Sequence, residues 1–153
     1  MKTVAYILCG IPGSGKSTWA SGKLNETTVY CSSDAYIEKY AKEKNKTYSE
    51  VFAEYIQIAI SKMIDDVHFA DDHDLDIIWD QTNTSTKTRA KKLKMIPTYK
   101  KVAIVFPTPP EDELKRRLGS RPGKNIPDNV IKKMIKGFTL PTPEEGFDEI
   151  VML

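Results

Sequence analysis

The sequence predicts an α/β fold, a parallel sheet sandwiched by helices. One observation carries this. Short apolar runs of strand type alternate along the chain with longer segments of helical period. The first run, Val4–Cys9, breaks directly into glycines and a proline, and a helix follows from near Gly15 to about Lys23. Thr28–Cys31 reads as a second strand, after which Ser32 or Ser33 caps a helix through about Lys44. Thr47-Tyr48-Ser49-Glu50 has capping-box spacing, and Val51, Phe52, Tyr55, Ile56, Ala59, Ile60, Met63 and Ile64 recur at helical period behind it. Leu75–Trp79 is a third strand, followed by the polar Asp80–Thr86 and a basic helix to about Met95. Lys101–Phe106 is a fourth strand. Thr108-Pro109-Pro110-Glu111 combines a capping box with proline in the first turn and opens a helix that Gly119 closes. Asp128 caps a last helix, with Val130, Ile131, Met134, Ile135 and Phe138 on its apolar side, and Ile150–Leu153 is a final strand.

The 153 residues are 40% hydrophobic and 29% charged, and without repeat or linker they read as one domain over 1–153. That composition excludes a disordered chain, and eight Gly with nine Pro exclude collagen-like and low-complexity classes. No apolar run approaches the ~18 residues of a membrane helix, so no membrane partner is expected. Met1-Lys2 with Thr3–Cys9 has the outline of a signal peptide. The apolar stretch is too short for one, though, and runs into Gly10-Ile11-Pro12-Gly13 instead of a cleavage site. Cys9 and Cys31 lie far apart with no C-x-x-C spacing, which points to a reduced, cytoplasmic protein without structural zinc.

Net charge is +2, unevenly spread. Residues 1–84 hold 8 basic and 13 acidic side chains, 85–136 hold 15 and 4, and 137–153 hold none and 4. The positive middle suggests a field for phosphate-bearing ligands, although Lys87, Lys91, Lys92 and Lys94 read equally as a solvated helix face.

Gly10-Ile11-Pro12-Gly13-Ser14-Gly15-Lys16-Ser17 fits G-x-x-x-x-G-K-[ST], after a strand and at the start of a helix. The glycines let successive N–H groups face phosphate oxygens, and the helix N-terminus adds partial positive charge. Lys16 would neutralise the β- and γ-phosphates of a nucleoside triphosphate, and the Ser17 hydroxyl would ligate Mg²⁺. The fold class is thus a P-loop NTPase-type sheet. The short length disfavours a motor ATPase, and no N-K-x-D sequence reads guanine. A compact phosphotransferase or a nucleotide-binding module remains.

Three further segments are expected beyond the carboxyl ends of the strands, where such sheets bind ligands. Asp34 is either a base that accepts a hydroxyl proton or the cap of the next helix. Asp80, after an apolar strand, resembles a Walker B acid turned towards Mg²⁺ or its waters. Arg116, Arg117 and Arg121 lead into the Gly/Pro-rich stretch to Pro127, a short arginine-containing lid over ATP. Arg116 reads as a solvated helix residue and Arg121 as the cation facing phosphate.

With these residues in view, the chain resembles the P-loop polynucleotide 5′-hydroxyl kinases over nearly its whole length. The resemblance rests on Gly13-Ser14-Gly15-Lys16-Ser17-Thr18-Trp19-Ala20, Ser33-Asp34-Ala35-Tyr36, Asp80-Gln81-Thr82-Asn83, Arg117 to Pro127, and Pro141-Thr142-Pro143-Glu144-Glu145-Gly146-Phe147. It implies that the phosphate loop Gly13 to Thr18, with Arg117 and Arg121, binds ATP, and that Ser17 and Asp80 serve Mg²⁺. It further implies that Asp34 is the general base, acting with Lys16 and Arg121, and that the acceptor is the 5′-OH end of DNA or RNA. The chain corresponds to the kinase domain alone, without the D-x-D-G-T phosphatase motif. One departure is Ile37, where some members carry an arginine that contacts the acceptor's phosphate. Acceptor binding then depends on other groups, such as the basic 85–101 stretch, and a small-molecule kinase is the alternative. His68 and His73 are assigned no catalytic role, and Trp19 is expected to pack under the loop.

Overall fold

The computed structural model describes residues 3–153, so Met1 and Lys2, the basic start of the signal-like stretch, lie outside the described residues. Five strands form one parallel sheet: β1 (Val4–Cys9), β2 (Thr28–Cys31), β3 (Asp76–Asp80), β4 (Lys100–Val105) and β5 (Glu149–Met152), in the order β2-β3-β1-β4-β5. Helices α1 (Lys16–Lys23), α2 (Ser33–Glu43), α3 (Tyr48–Asp72), α4 (Thr86–Met95), α5 (Glu111–Gly119) and α6 (Asp128–Lys136) connect and cover them. The α/β expectation holds, and every expected strand is present within a residue or two of its expected bounds.

The central strand explains why its run is apolar without alternation. β1 has a strand on either side and helices over both faces, so Ala5, Ile7, Leu8 and Cys9 are all buried. One face of the sheet packs Ile77, Trp79 and Val105 with Met63, Val67 and Ala70 of α3. The other packs Ile78, Ile104 and Phe106 with Ala20. Trp19 joins this second layer edge-on to Tyr6 and Phe106, the packing role expected of it. Both cysteines are buried free thiols, and burial pushes the Cys9 thiol up to about 12.

The capping box of α3 forms as its sequence predicts: the Thr47 hydroxyl accepts from Glu50 N–H, and Glu50 accepts from Thr47 N–H. Two other caps differ. No side chain caps α5, which starts at Glu111 directly behind Pro109 and Pro110, so the Thr108 box does not form. Gly119 is that helix's last residue, and Ser120 takes the cap position after it. Asp128 is the first residue of α6, and the cap position before it belongs to Pro127. Proline's fixed, extended backbone sets the helix entry in both cases and replaces the side-chain cap. Along α6, Ile131 is buried and Met134 packs partly against the core, as does Phe138 just past the helix end, whereas Ile135 is 40% exposed. Among the described residues, no helix is long and apolar enough to cross a membrane.

Candidate active site

The strand register assembles the site. Leu8 stands level with Asp80, and Cys31 with Trp79, so the segments after β1, β2 and β3 emerge side by side from the carboxyl edge of the sheet. They are then tied together. Gly10 N–H donates to the Thr82 carbonyl at 2.9 Å, the Asn83 amide donates to the Leu8 carbonyl at 2.7 Å, and the Gln81 amide donates to Ser33 Oγ at 3.0 Å. Asp80-Gln81-Thr82-Asn83 therefore lies against the phosphate loop.

The loop itself is a cradle closed by packing. Gly13 has φ +85°, and a Cβ there would lie 3.0 Å from Leu114 and 3.2 Å from Leu118, so glycine is required on both counts. Lys16 is buried, and its ammonium donates to the Gly10 and Ile11 carbonyls at 2.9 Å each. Burial pushes it down to about 8, against the pull of Asp80 and Asp34, with Arg121 adding to the depression. A ligand that brings negative charge would relieve this strain on the ammonium. Ser14 Oγ is buried against Gly10 with no hydrogen-bond partner among the described residues.

Asp80 is buried, and it accepts from Ser17 Oγ at 3.1 Å and from the Tyr30 hydroxyl at 2.5 Å. Burial, with the hydrogen bond to Asp80, pushes the Tyr30 phenol far up, so it remains a neutral donor. A buried carboxylate paired only with hydroxyls, with a serine oxygen beside it, is a hard oxygen donor set that fits Mg²⁺.

Asp34 faces this loop from the second residue of α2. The cap of that helix is Ser32, whose hydroxyl accepts from Ala35 N–H at 3.2 Å, so the capping alternative for Asp34 falls away. The Asp34 carboxylate instead accepts from the Tyr48 hydroxyl at 2.5 Å and from Lys124 Nζ at 2.8 Å. Burial by itself would raise its pKa, but the charge and hydrogen bond of Lys124, with Tyr48 and Lys16, hold the carboxyl below its usual range.

The arginines divide. Arg116 lies on the surface, paired with Glu113, as a solvated helix residue should. Arg117 also pairs with Glu113 and donates to the Gly13 carbonyl at 2.9 Å, which brings it to the loop backbone. Arg121 is half-buried, and among the described residues its side chain has no ion-pair partner; its charge is felt at Lys16 and Tyr48. Thr18 lies exposed in the first turn of α1.

Three participants were not legible in the sequence. Lys124 and Tyr48 reach Asp34 from the lid and from α3. Arg89 is wholly buried, donates to the Asn83 carbonyl at 2.9 Å and pairs with Glu145 at 2.8 Å. It thereby joins the Glu145-Gly146-Phe147 tail to the floor of the site. Lys92 corrects the reading of the basic helix: only Lys87, Lys91 and Lys94 form an exposed face. Lys92 lies over the Trp79 ring at 5.6 Å, and burial lowers its ammonium to about 8. Ile37 is fully buried among Ala41, Val51 and Ala59 and does not reach the cleft. His68 and His73 are both exposed, His73 capping the end of α3.

An AAA domain family model matches residues 6–141. The chain is 25% identical over 158 residues to mouse heterogeneous nuclear ribonucleoprotein U-like protein 2, covering 94% of this chain but only about a fifth (20%) of that protein's length. A candidate kinase from Chloroflexus aurantiacus has the same fold, with TM-score 0.74, 16% identity, and coverage of 100% of this chain and 88% of the other. A chain of the Pnkp1/Rnl/Hen1 complex superposes with TM-score 0.58 and 22% identity, over 75% of this chain and 39% of the other. A gluconokinase from Sinorhizobium meliloti superposes with TM-score 0.51 and 16% identity, over 98% and 81%. These likenesses define a P-loop fold of the kind found in kinases.

Proposed function

The chain belongs to the AAA domain family, and from that premise we propose that it is an ATP-dependent kinase that transfers the γ-phosphate to the 5′-hydroxyl end of a DNA or RNA strand. The observation that carries this reading is Asp34: a carboxylate kept ionised, freed of capping duty by Ser32, and near enough to the phosphate loop to feel the Lys16 charge. In the reaction, the acceptor O–H gives its proton to the Asp34 carboxylate. The oxygen forms a bond to the γ-phosphorus, and the bond from that phosphorus to the β–γ bridging oxygen breaks, so that ADP leaves with the electron pair. The loop N–H groups and Lys16 hold the phosphates, and Arg117 and Arg121 meet them from the lid side. Ser17 and Asp80 would hold Mg²⁺, which when bound neutralises phosphate charge.

A relative named as a ribonucleoprotein supports a nucleic-acid acceptor. The second reading, a small-molecule kinase, is favoured by the burial of Ile37, which leaves no acceptor-binding group at that position.

Purified protein with Mg²⁺, γ-labelled ATP and two matched oligonucleotides, one ending in 5′-OH and one already phosphorylated, tests the proposal. Label is expected on the 5′-OH strand alone. Acceptor affinity should fall with salt by roughly 0.7 log units per log unit of salt for each strand phosphate bound. Labelling of an uncharged metabolite and of neither strand would establish the second reading instead.

Lys16→Ala is expected to weaken ATP binding and to cut kcat by about 10²–10³, the usual cost of removing one preorganised charge stabiliser. Equilibrium ATP binding and single-turnover transfer measure the two effects. Loss of transfer without loss of binding would deny Lys16 its ground-state contact with phosphate.

A further inference from the structure

The lid is not free along its length. Its 123–125 segment is fastened to the start of α3: Ser49 N–H donates to the Gly123 carbonyl at 3.1 Å, and Asn125 N–H donates to Ser49 Oγ at 3.0 Å. Gly123 has φ +71°, and a Cβ there would lie 2.6 Å from the Thr47 side chain, so backbone and cap meet with no room between. Lys124 sits between these two anchored residues. Its side chain is only 10% exposed, its ammonium lies 4.3 Å from the centre of the Tyr48 ring, and it pairs at 2.8 Å with Asp34, whose own side chain is 50% exposed.

An ammonium buried to this degree is held by its neighbours, while the half-exposed carboxylate would otherwise sample several rotamers. Two donors, the Lys124 ammonium on Oδ2 and the Tyr48 hydroxyl on Oδ1, hold both carboxylate oxygens and leave the side chain a single orientation. We propose that Lys124 is the positioning residue of the base: the attachment of the lid to α3 delivers its ammonium to Asp34, so that lid engagement and alignment of the base are one event. This rests on the kinase reading above.

Among the described residues, the groups that act on Asp34 are Lys124 from the lid, Tyr48 from α3 and Lys16 from the phosphate loop, while Arg121 at the lid's edge and Glu38 one turn along α2 act on its partner Tyr48. Lys124 is the largest of the influences that lower Asp34. Removing it raises the carboxyl, and because the base works only when ionised, the acid limb of the rate profile moves to higher pH. At neutral pH an Asp near its ordinary value of about 3.9 is still ionised, so any loss there reports orientation.

The test compares wild type, Lys124→Met, Lys124→Arg and Tyr48→Phe. Asp34 is titrated by carbon-13 carboxyl NMR, and kcat is followed against pH with the 5′-OH oligonucleotide. In K124M the NMR titration and the acid limb should move up together, kcat at pH 7 should fall on the order of ten- to a hundredfold, and ATP affinity should stay unchanged. K124R should restore most of the rate. Y48F should move both readouts the same way by less. Wild-type protein that transfers phosphate, with K124M leaving both titrations in place, overturns this inference alone. Wild-type protein that transfers none overturns the kinase reading and this inference with it.

Discussion

Asp34→Asn should lower kcat for phosphoryl transfer by about 10²–10⁴, the range that general-base catalysis supplies, and leave ATP affinity near the wild-type value. The substitution keeps the shape of the side chain and removes its ability to take a proton. The helix that carries it does not suffer, because Ser32 caps α2 and Asp34 contributes no cap hydrogen bond. The phosphate loop keeps its hydrogen bonds, since Lys16 bonds its own loop's carbonyls and not Asp34, and the ammonium loses only the distant charge of Asp34. Single-turnover transfer against equilibrium ATP binding separates the two properties, and thermal unfolding confirms that the variant is folded. Near wild-type turnover would remove Asp34 from the chemistry and return it to the role of lid anchor for Lys124.

Glu145→Ala should destabilise the fold by about 3–5 kcal/mol, the cost of leaving a buried charge without its partner. Arg89 is fully buried and the Glu145 side chain is 9% exposed, so solvent screens the pair little. Nε and Nη2 of Arg89 bond the two Glu145 oxygens at 2.8 and 3.2 Å, and Nη1 bonds the Asn83 carbonyl. Loss of Glu145 therefore loosens the floor of the site as well as the tail, and urea unfolding should show the stability loss together with weaker ATP binding. A pH dependence accompanies it. Burial alone would raise the Glu145 carboxyl, but Arg89 and the Thr142 N–H outweigh burial and hold it below its ordinary value. A depressed carboxyl contributes stability that is fully present above its unfolded pKa of about 4.3 and is lost as pH falls through the lower folded value. Acid unfolding of wild type should include this loss, and that of E145A should lack it. Equal stability of the two proteins at pH 7 would mean that Arg89 finds another partner.

The two corrected caps show where local reading fails. Thr108 and Asp128 have the residue types and spacing of caps, yet prolines at 110 and 127 already fix the entry angle, and the side chains are not drawn in. The Thr47 box carries no proline, and it forms as written. Lys92 fails for a different reason: its neighbours Lys91 and Lys94 are exposed, and only the rotation of α4 against β3 sets this one lysine over Trp79.

The sequence by itself determined the strand–helix alternation and the phosphate loop with Lys16 and Ser17. Each is written in neighbouring residues, because hydrophobic period, turn glycines and capping are short-range physics. The tertiary structure alone decided the partners. Asp34 and Lys124 are 90 residues apart, Arg89 and Glu145 are 56 apart, and Ser17 and Asp80 are 63 apart. Hydrogen bonds and ion pairs act over a few ångströms, so which charge meets which depends on strand order, register and helix rotation, and the spacing of residues along the chain does not encode these.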